Sequence, residues 1–433
     1  MKTITIKQAI ISGIIFIIVV SFFTYVKYHR YHQGLSIVVS SDAEGYNQYL
    51  TAVFIHNDIF HQPYSFVLED GRFFNKYNYG VALLQSPFYI VSHLVSKLFG
   101  LPNDGKLNAY IVGVILCGVF YAYLGLLLLF KLLRRKFSLK TTLITLGILF
   151  LGTNLVFYTY REPGMSHVYA FFLISLFIYS VHKYYDQPGW TAAIIMAVAL
   201  GILALIRLPH LLIGIYLVLF RVSSFRDLRK NLHFLSNYWV PLISIPLAIV
   251  LFYIPQSLYW HALTGKIFVN PYHYSNVAEG FFFWNNPQFK TVLFGPHGGW
   301  LLYSPLVLLA FAGVVYQFRK RVGSPWAVSI ILLTTTYLYA SWWLPSLAAS
   351  FGHRGFVDIY PVLAFPMAWI ADRILRSGIL LKTTFYSLAG LLVYLSVFMS
   401  FNFKYPWWNQ DWGYGTYLDF IGMAFFLVPG IPI

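Results

Sequence analysis

Long apolar runs separated by short polar turns recur along the whole chain. The first, 8–26, follows Lys2 and Lys7; further runs fall near 108–130, 141–158, 168–182, 190–206, 209–220, 238–256, 299–318, 325–343, 356–371 and 383–402. Runs approaching about 20 residues match the bilayer core when wound as helix, so each predicts a spanning helix. The run at 79–99 is read differently. As a span it would put Lys131, Arg134, Arg135, Lys136 and Lys140 outside, against the positive-inside tendency. It is therefore expected to be an amphipathic helix lying along the outer interface. The last run, 416–433, contains Asp419, Pro429 and Pro432 and is either a twelfth span or a half-inserted segment. The expected fold is all-α: a polytopic membrane protein with about 11–12 transmembrane helices. It forms one transmembrane domain over 1–433, with extracytoplasmic loops at 28–107 and 258–298 and no separate soluble domain.

Composition agrees with that pattern. Of 433 residues 58% are hydrophobic and 10% charged, and mean hydropathy is +0.65, which excludes an ordinary soluble domain. Lys and Arg number 30 against 14 Asp and Glu. They are scattered through short loops, so they set orientation and do not form a nucleic-acid face; no nucleic-acid partner is expected. The N-terminus is placed in the cytoplasm. Of the acidic residues only Asp186, Asp227 and Asp372 fall on that side, so polar chemistry is expected on the outer face. The one cysteine, Cys117, lies in an apolar run, leaving no disulfide framework. No Asn-x-Ser/Thr sequon occurs, and no nucleotide-binding fingerprint. The first run is long for a signal peptide and lacks a small-x-small cleavage site, so it reads as a retained helix. The expected location is a bacterial plasma (inner) membrane.

Four outer stretches carry unusual polarity. The first is Ser41-Asp42-Ala43-Glu44-Gly45-Tyr46, continuing to Arg72-Phe73-Phe74-Asn75-Lys76-Tyr77. A carboxylate beside the bilayer is costly unless paired or used. Asp42 is thus either the N-cap of the next helix or a base, and Lys76 either snorkels or binds a ligand. The second is Arg161-Glu162-Pro163-Gly164-Met165-Ser166-His167, where Arg161 and Glu162 either pair with each other or serve a site. Arg207, in Ile206-Arg207-Leu208-Pro209-His210, either caps a helix C-terminus or faces a ligand. The fourth is Gly352-His353-Arg354-Gly355-Phe356-Val357-Asp358, in which Asp358 could orient Arg354. His297, between Pro296 and Gly298, is a weaker member of the set.

Together these give a carboxylate pair, Asp42 and Glu44, facing Lys76, Arg161, Arg207 and Arg354. Such a set suits an anionic lipid phosphate: cations hold it while a carboxylate takes a proton from an incoming nucleophile. The leaving phosphate needs its charge stabilised by those cations or by a metal. No His/Asp cluster has dedicated ligand spacing; the alternative is a divalent cation (Mg or Mn) held by Asp42, Glu44 and the phosphate.

In motif order the chain resembles the GT-C superfamily of membrane glycosyltransferases, which includes the protein O-mannosyltransferases and the lipid A aminoarabinose transferase. Asp42-Ala43-Glu44-Gly45-Tyr46 after the first helix is similar to the family's acidic start, and Phe74-Asn75-Lys76-Tyr77 to its lysine patch. Glu162-Pro163 resembles the second acidic motif, with Glu where many members have Asp. Arg207 and Gly352-His353-Arg354 resemble later basic motifs. The resemblance covers roughly residues 1–375.

It implies an inverting transferase moving a sugar from a polyprenyl-phosphate donor to a hydroxyl of a glycan, lipid or protein acceptor, with membrane lipids as its other partners. Asp42, Glu44 and Glu162 would be the catalytic residues. Lys76, Arg161, Arg207, His353 and Arg354 would hold the donor phosphate. Tyr46, Tyr77, His167, His297 and Asp358 would line the substrate cavity, roofed by 79–99 and 258–298. The rival readings are a transporter or flippase of lipid-linked saccharides, which often shows paired repeats and broken helices, and a polymerase of such glycans.

Overall fold

In the computed structural model, residues 5–30, 38–106, 109–274, 280–348, 350–403 and 412–425 are described. The chain is 74% helical. Among the described residues the paired strands are one short hairpin, Phe66–Val67 against Phe73–Phe74, with Phe66 opposite Phe74 and Val67 opposite Phe73.

Among the described residues four helices are long and apolar enough to cross a membrane: Ile6–His29, Ala109–Leu133, Val240–Thr264 and Ile379–Asn402. Their outward faces are apolar. Ile10, Ile14, Ile18 and Phe22 on the first, and Leu247, Val250, Leu251 and Leu258 on the third, are all exposed. Water would penalise such surface heavily, whereas hydrocarbon would not. Asn154, His167, Asp358 and other polar side chains are buried inside. This apolar-out, polar-in distribution is that of an integral membrane protein.

Several of the expected runs are shorter or interrupted. The stretch 141–158 divides into Leu139–Leu151 and Leu155–Tyr160 at Gly152-Thr153-Asn154. The break has a structural use. Asn154 donates from Nδ2 to the Phe351 carbonyl (3.1 Å) and accepts from the Tyr360 hydroxyl (2.5 Å), tying down the loop that precedes Arg354. The run 299–318 breaks at Ser304-Pro305 into Trp300–Tyr303, a short turn and Leu308–Lys320. The run 209–220 is a 3-10 segment, Leu208–Gly214, followed by Ile215–Val218. Proline explains that break: the helix Trp190–Ile206 stops because Pro209 has no N–H to donate and crowds the residues before it.

Gly80–Phe99 is a helix as expected, ending at Gly100 in the left-handed conformation (φ 62°). Tyr414–Met423 is helical, and 426–433 lies outside the described residues. The polar stretch between the expected runs 209–220 and 238–256 contains a helix, Phe225–Asn237.

The helices cross closely where small residues meet. A Cβ on Gly313, in Leu308–Lys320, would lie 2.1 Å from the Pro366 carbonyl oxygen of Tyr360–Leu375. One on Gly201 would lie 2.5 Å from the Phe252 ring of Ser244–Thr264. Such contacts let dispersion hold helices that the hydrophobic effect cannot drive together in lipid.

Candidate functional site

After the first helix the chain folds into the helix Asp42–Thr51 and a single π turn, Ala52–His56. Ser41 stands at its N-cap position with φ 57°, and its side chain makes no cap hydrogen bond. Asp42 is therefore the first helical residue and not a cap. The helix bends its start toward the turn at Glu162-Pro163-Gly164: a Cβ on Gly164 would lie 2.4 Å from the Val38 carbonyl and 2.9 Å from Ala43.

These segments wall a cavity of about 700 Å³, within the range of small-molecule sites. Asp42, Lys76, Glu162, Arg207, Arg354 and Asp358 line it, with Tyr46, Tyr77, Tyr272, Tyr339 and Trp342 among them. Tyr77 donates its hydroxyl to Asp42 Oδ1 (2.7 Å), and Arg354 Nη2 lies 3.3 Å from Asp42 Oδ2. Gly45 makes room for this: a Cβ there would stand 2.1 Å from the Tyr77 ring. Burial pushes the Asp42 carboxyl up. Arg354, the Tyr77 hydroxyl, Arg207 and Lys76 outweigh it and hold the group below its ordinary 3.8. Burial disfavours the Arg354 charge, but Asp42, with Tyr158 and Glu162, more than restores it. Burial, then the neighbouring Asp42, raises the Tyr77 phenol, so it stays a donor. The Lys76 ammonium sits over the rings of Phe66, Tyr77 and Tyr272, 5.3, 5.5 and 5.8 Å from their centroids.

Arg207 occupies the C-cap position of Trp190–Ile206 and also lines the cavity. It donates to Ser166 Oγ at 3.0 Å and approaches Asp358 Oδ2 at 3.9 Å. Asp358, 1% exposed, is bracketed by two histidines: Oδ1 lies 2.8 Å from His167 Nδ1 and Oδ2 2.9 Å from His210 Nε2. A buried carboxylate needs such partners. The expectation that Asp358 orients Arg354 is corrected: it braces Arg207, while Arg354 belongs to Asp42.

Other expected members lie elsewhere. Glu44 is not on the cavity; it meets Lys106 Nζ at 3.0 Å. The reason is helical geometry, since residues two apart point to different faces. The same divergence argues against a cation held by Asp42 and Glu44 together, because each Asp42 oxygen already has a hydrogen-bonding or ionic partner. Among the described residues no group of three or more His, Cys, Asp or Glu could hold a metal ion. Arg161 is buried with its guanidinium 5.1 Å from the Tyr28 ring centroid, off the cavity wall. His353 is buried behind Arg354, with Nε2 2.9 Å from the Pro345 carbonyl. His167 lies behind Asp358, and His297 is exposed outside the cavity. Of the expected roof 258–298, Trp260 at the end of Ser244–Thr264 and Phe268, Tyr272 and Phe282 beyond it line the cavity, but Gly80–Phe99 contributes none.

Sequence reading passes over His210, although it sits beside Arg207 and Pro209. It also has no means of finding backbone strain. Of the six described non-glycine residues with positive φ, Ser41, Leu347 and Ala348 line the cavity, and such conformations concentrate at functional sites.

Away from the charges the cavity is aliphatic. Ile331, Thr335 and Leu338 are spaced to lie along one face of Pro325–Ser341, and Ile174, Leu212 and Ile213 line the cavity with them. Seven residues of helical rise, Ile331 to Leu338, make this arm about 10 Å long. Compared with models of known protein families and with curated proteins, the chain matches none.

Proposed function

We propose that this protein is an inverting glycosyltransferase. It takes a sugar from a polyprenyl-phosphate donor and passes it to an acceptor hydroxyl on the outer face of the membrane. The observation that carries the reading is the cavity's two-part character. Three carboxylates and three cations line one part, and an apolar arm, Ile331 to Leu338, runs about 10 Å along a helix beside it. A lipid phosphate with an isoprenoid chain has the same division.

In this reading the phosphate lies among Lys76, Arg207 and Arg354, and the chain lies along Ile331, Thr335 and Leu338. Asp42 accepts the proton of the acceptor hydroxyl. The hydroxyl oxygen attacks the anomeric carbon from the face opposite the phosphate. The carbon–oxygen bond to phosphate breaks, and polyprenyl phosphate leaves with its electron pair while the cations meet the developing charge. A bound phosphate also draws on Arg354, relaxing its hold on Asp42 and making the carboxylate a better base at the moment it is needed. Tyr77 keeps the carboxylate oriented. Glu162 contributes charge beside Arg354.

The proposal includes a GT-C-like topology of about 11–12 spans with a cytoplasmic N-terminus in a bacterial inner membrane. The test is incubation of purified protein with a panel of polyprenyl-phosphate sugars and candidate acceptors, measuring released polyprenyl phosphate. Release coupled to a glycosylated acceptor is expected. Movement of intact donor across vesicles with no release would make it a flippase.

A further inference from the structure

The end of the molecule opposite the cavity carries a polar surface of another kind. Ser166 and Arg207 lie at the cavity ends of Ser166–Asp186 and Trp190–Ile206. Asp186 and Trp190 are thus about 25–30 Å away by helical rise. There Asp186 pairs with Arg135 and, at 4.0 Å, with Arg221, and the chain enters the helix Phe225–Asn237.

That helix is firmly placed. Ser224 caps it, accepting from the Asp227 amide. Asp227 Oδ2 accepts from the hydroxyls of Ser223 (2.8 Å) and Ser224 (2.9 Å). Asn231 Nδ2 donates to the carbonyls of Val218 and Phe220, and the Phe234 ring stacks on Tyr185 with centroids 4.6 Å apart. Asp227 is therefore turned into the cap. The neighbouring arc presents Arg226, Arg229, Lys230 and His233, all at least partly exposed; Asp227, three residues before Lys230, borders it with its carboxylate held by Ser223 and Ser224. Phe225 and Leu232, at one margin of that arc, are 91% and 51% exposed. The helix continues through exposed Tyr238 and Trp239 into Val240–Thr264, whose surface is hydrocarbon-like. The basic arc thus lies where a bilayer's headgroups begin.

We propose that Phe225–Asn237 is a binding surface for anionic phospholipid. Phe225 and Leu232 enter the interface, and Arg226, Arg229 and Lys230 meet headgroup phosphates. A merely solvated helix would not hold Phe225 and Leu232 out in water. Continuity with a lipid-facing helix favours a bilayer over an acidic protein. Basic residues at anionic surfaces each contribute roughly fivefold to binding, so three give up to about 100-fold at low salt. The inference does not depend on the transferase reading.

The test uses the full chain in mild detergent, with retained phosphatidylglycerol and phosphatidylcholine counted by native mass spectrometry. Wild type is expected to prefer phosphatidylglycerol, less so as salt rises. The variant Arg226→Gln/Arg229→Gln/Lys230→Gln loses that preference with unchanged Tm, and Arg226→Lys/Arg229→Lys keeps it. If the triple variant unfolds, the wild-type lipid ratio and its salt dependence decide the matter. Equal retention of the two lipids by wild type, or an undiminished preference in a folded triple variant, overturns the proposal; the first outcome would leave the arc to an acidic protein.

Discussion

The charged side chains that line the cavity turn inward; those at the far end turn out. Asp42 and Arg354 are 19% and 17% exposed and Asp358 1%, whereas Arg221 and Arg376 are 60% and 74% exposed. The inward charges carry a desolvation cost that replacement by apolar residues would avoid. They persist as a connected set, Lys76–Asp42–Arg354 and Arg207–Asp358 with two histidines, so their use lies in what they can do together. The outward charges cost little to keep. In the proposals made above, their work is at the boundary of the membrane, setting orientation and meeting headgroups.

That contrast can be broken at several points. The largest effect is expected from Asp42→Asn, which keeps shape and removes the base. Transfer should fall by about 10²–10⁴ while donor binding survives, measured by polyprenyl phosphate release and donor titration. Next is Asp358→Ala. It strands Arg207 and two histidine rings and should cost about 3–5 kcal/mol in thermal unfolding, whereas Arg226→Gln at the far end should cost no more than about 0.5 kcal/mol.

A smaller, signed effect concerns pH. Asp42 is held below 3.8, so its ionised form and the stability it contributes are present above the ordinary carboxylate range. Both are lost only as pH falls through the lowered value. Arg354→Ala removes the largest attraction and leaves the burial that pushes the carboxyl up. The acid limb of the pH–rate profile should therefore move to higher pH; an unmoved limb would separate Asp42 from the chemistry. The smallest effect is expected from Glu44→Gln. Its partly exposed pair with Lys106 is worth at most about 1 kcal/mol, and transfer should be unchanged.

Much of this can be read in the residues themselves. Trp190–Ile206 falls where its apolar run predicts, because Gly189 precedes it and Arg207-Leu208-Pro209 ends it. Asp42, Lys76, Arg207 and Arg354 stand out in the sequence as charges beside apolar runs, and all four line the one cavity. What escapes is information carried by contacts. Apolar windows average over the break at Asn154, whose purpose appears only when Phe351 and Tyr360 are beside it. Nearness in sequence groups Glu44 with Asp42, though the helix points them apart. Arg161 and His353 look available because sequence does not distinguish a buried brace from a lining residue. The helix Phe225–Asn237 is concealed because its inward apolar positions, Leu228, Phe234 and Leu235, are few and interleaved with charge.

The account rests on one meeting place for carboxylate, cations and lipid phosphate. A structure with polyprenyl phosphate bound tests it most directly. The phosphate should lie within hydrogen-bonding reach of Arg207, Arg354 or Lys76, beside Asp42, with its isoprenoid chain against Ile331 and Leu338. A phosphate bound away from those cations, or a chain outside the aliphatic arm, would contradict it.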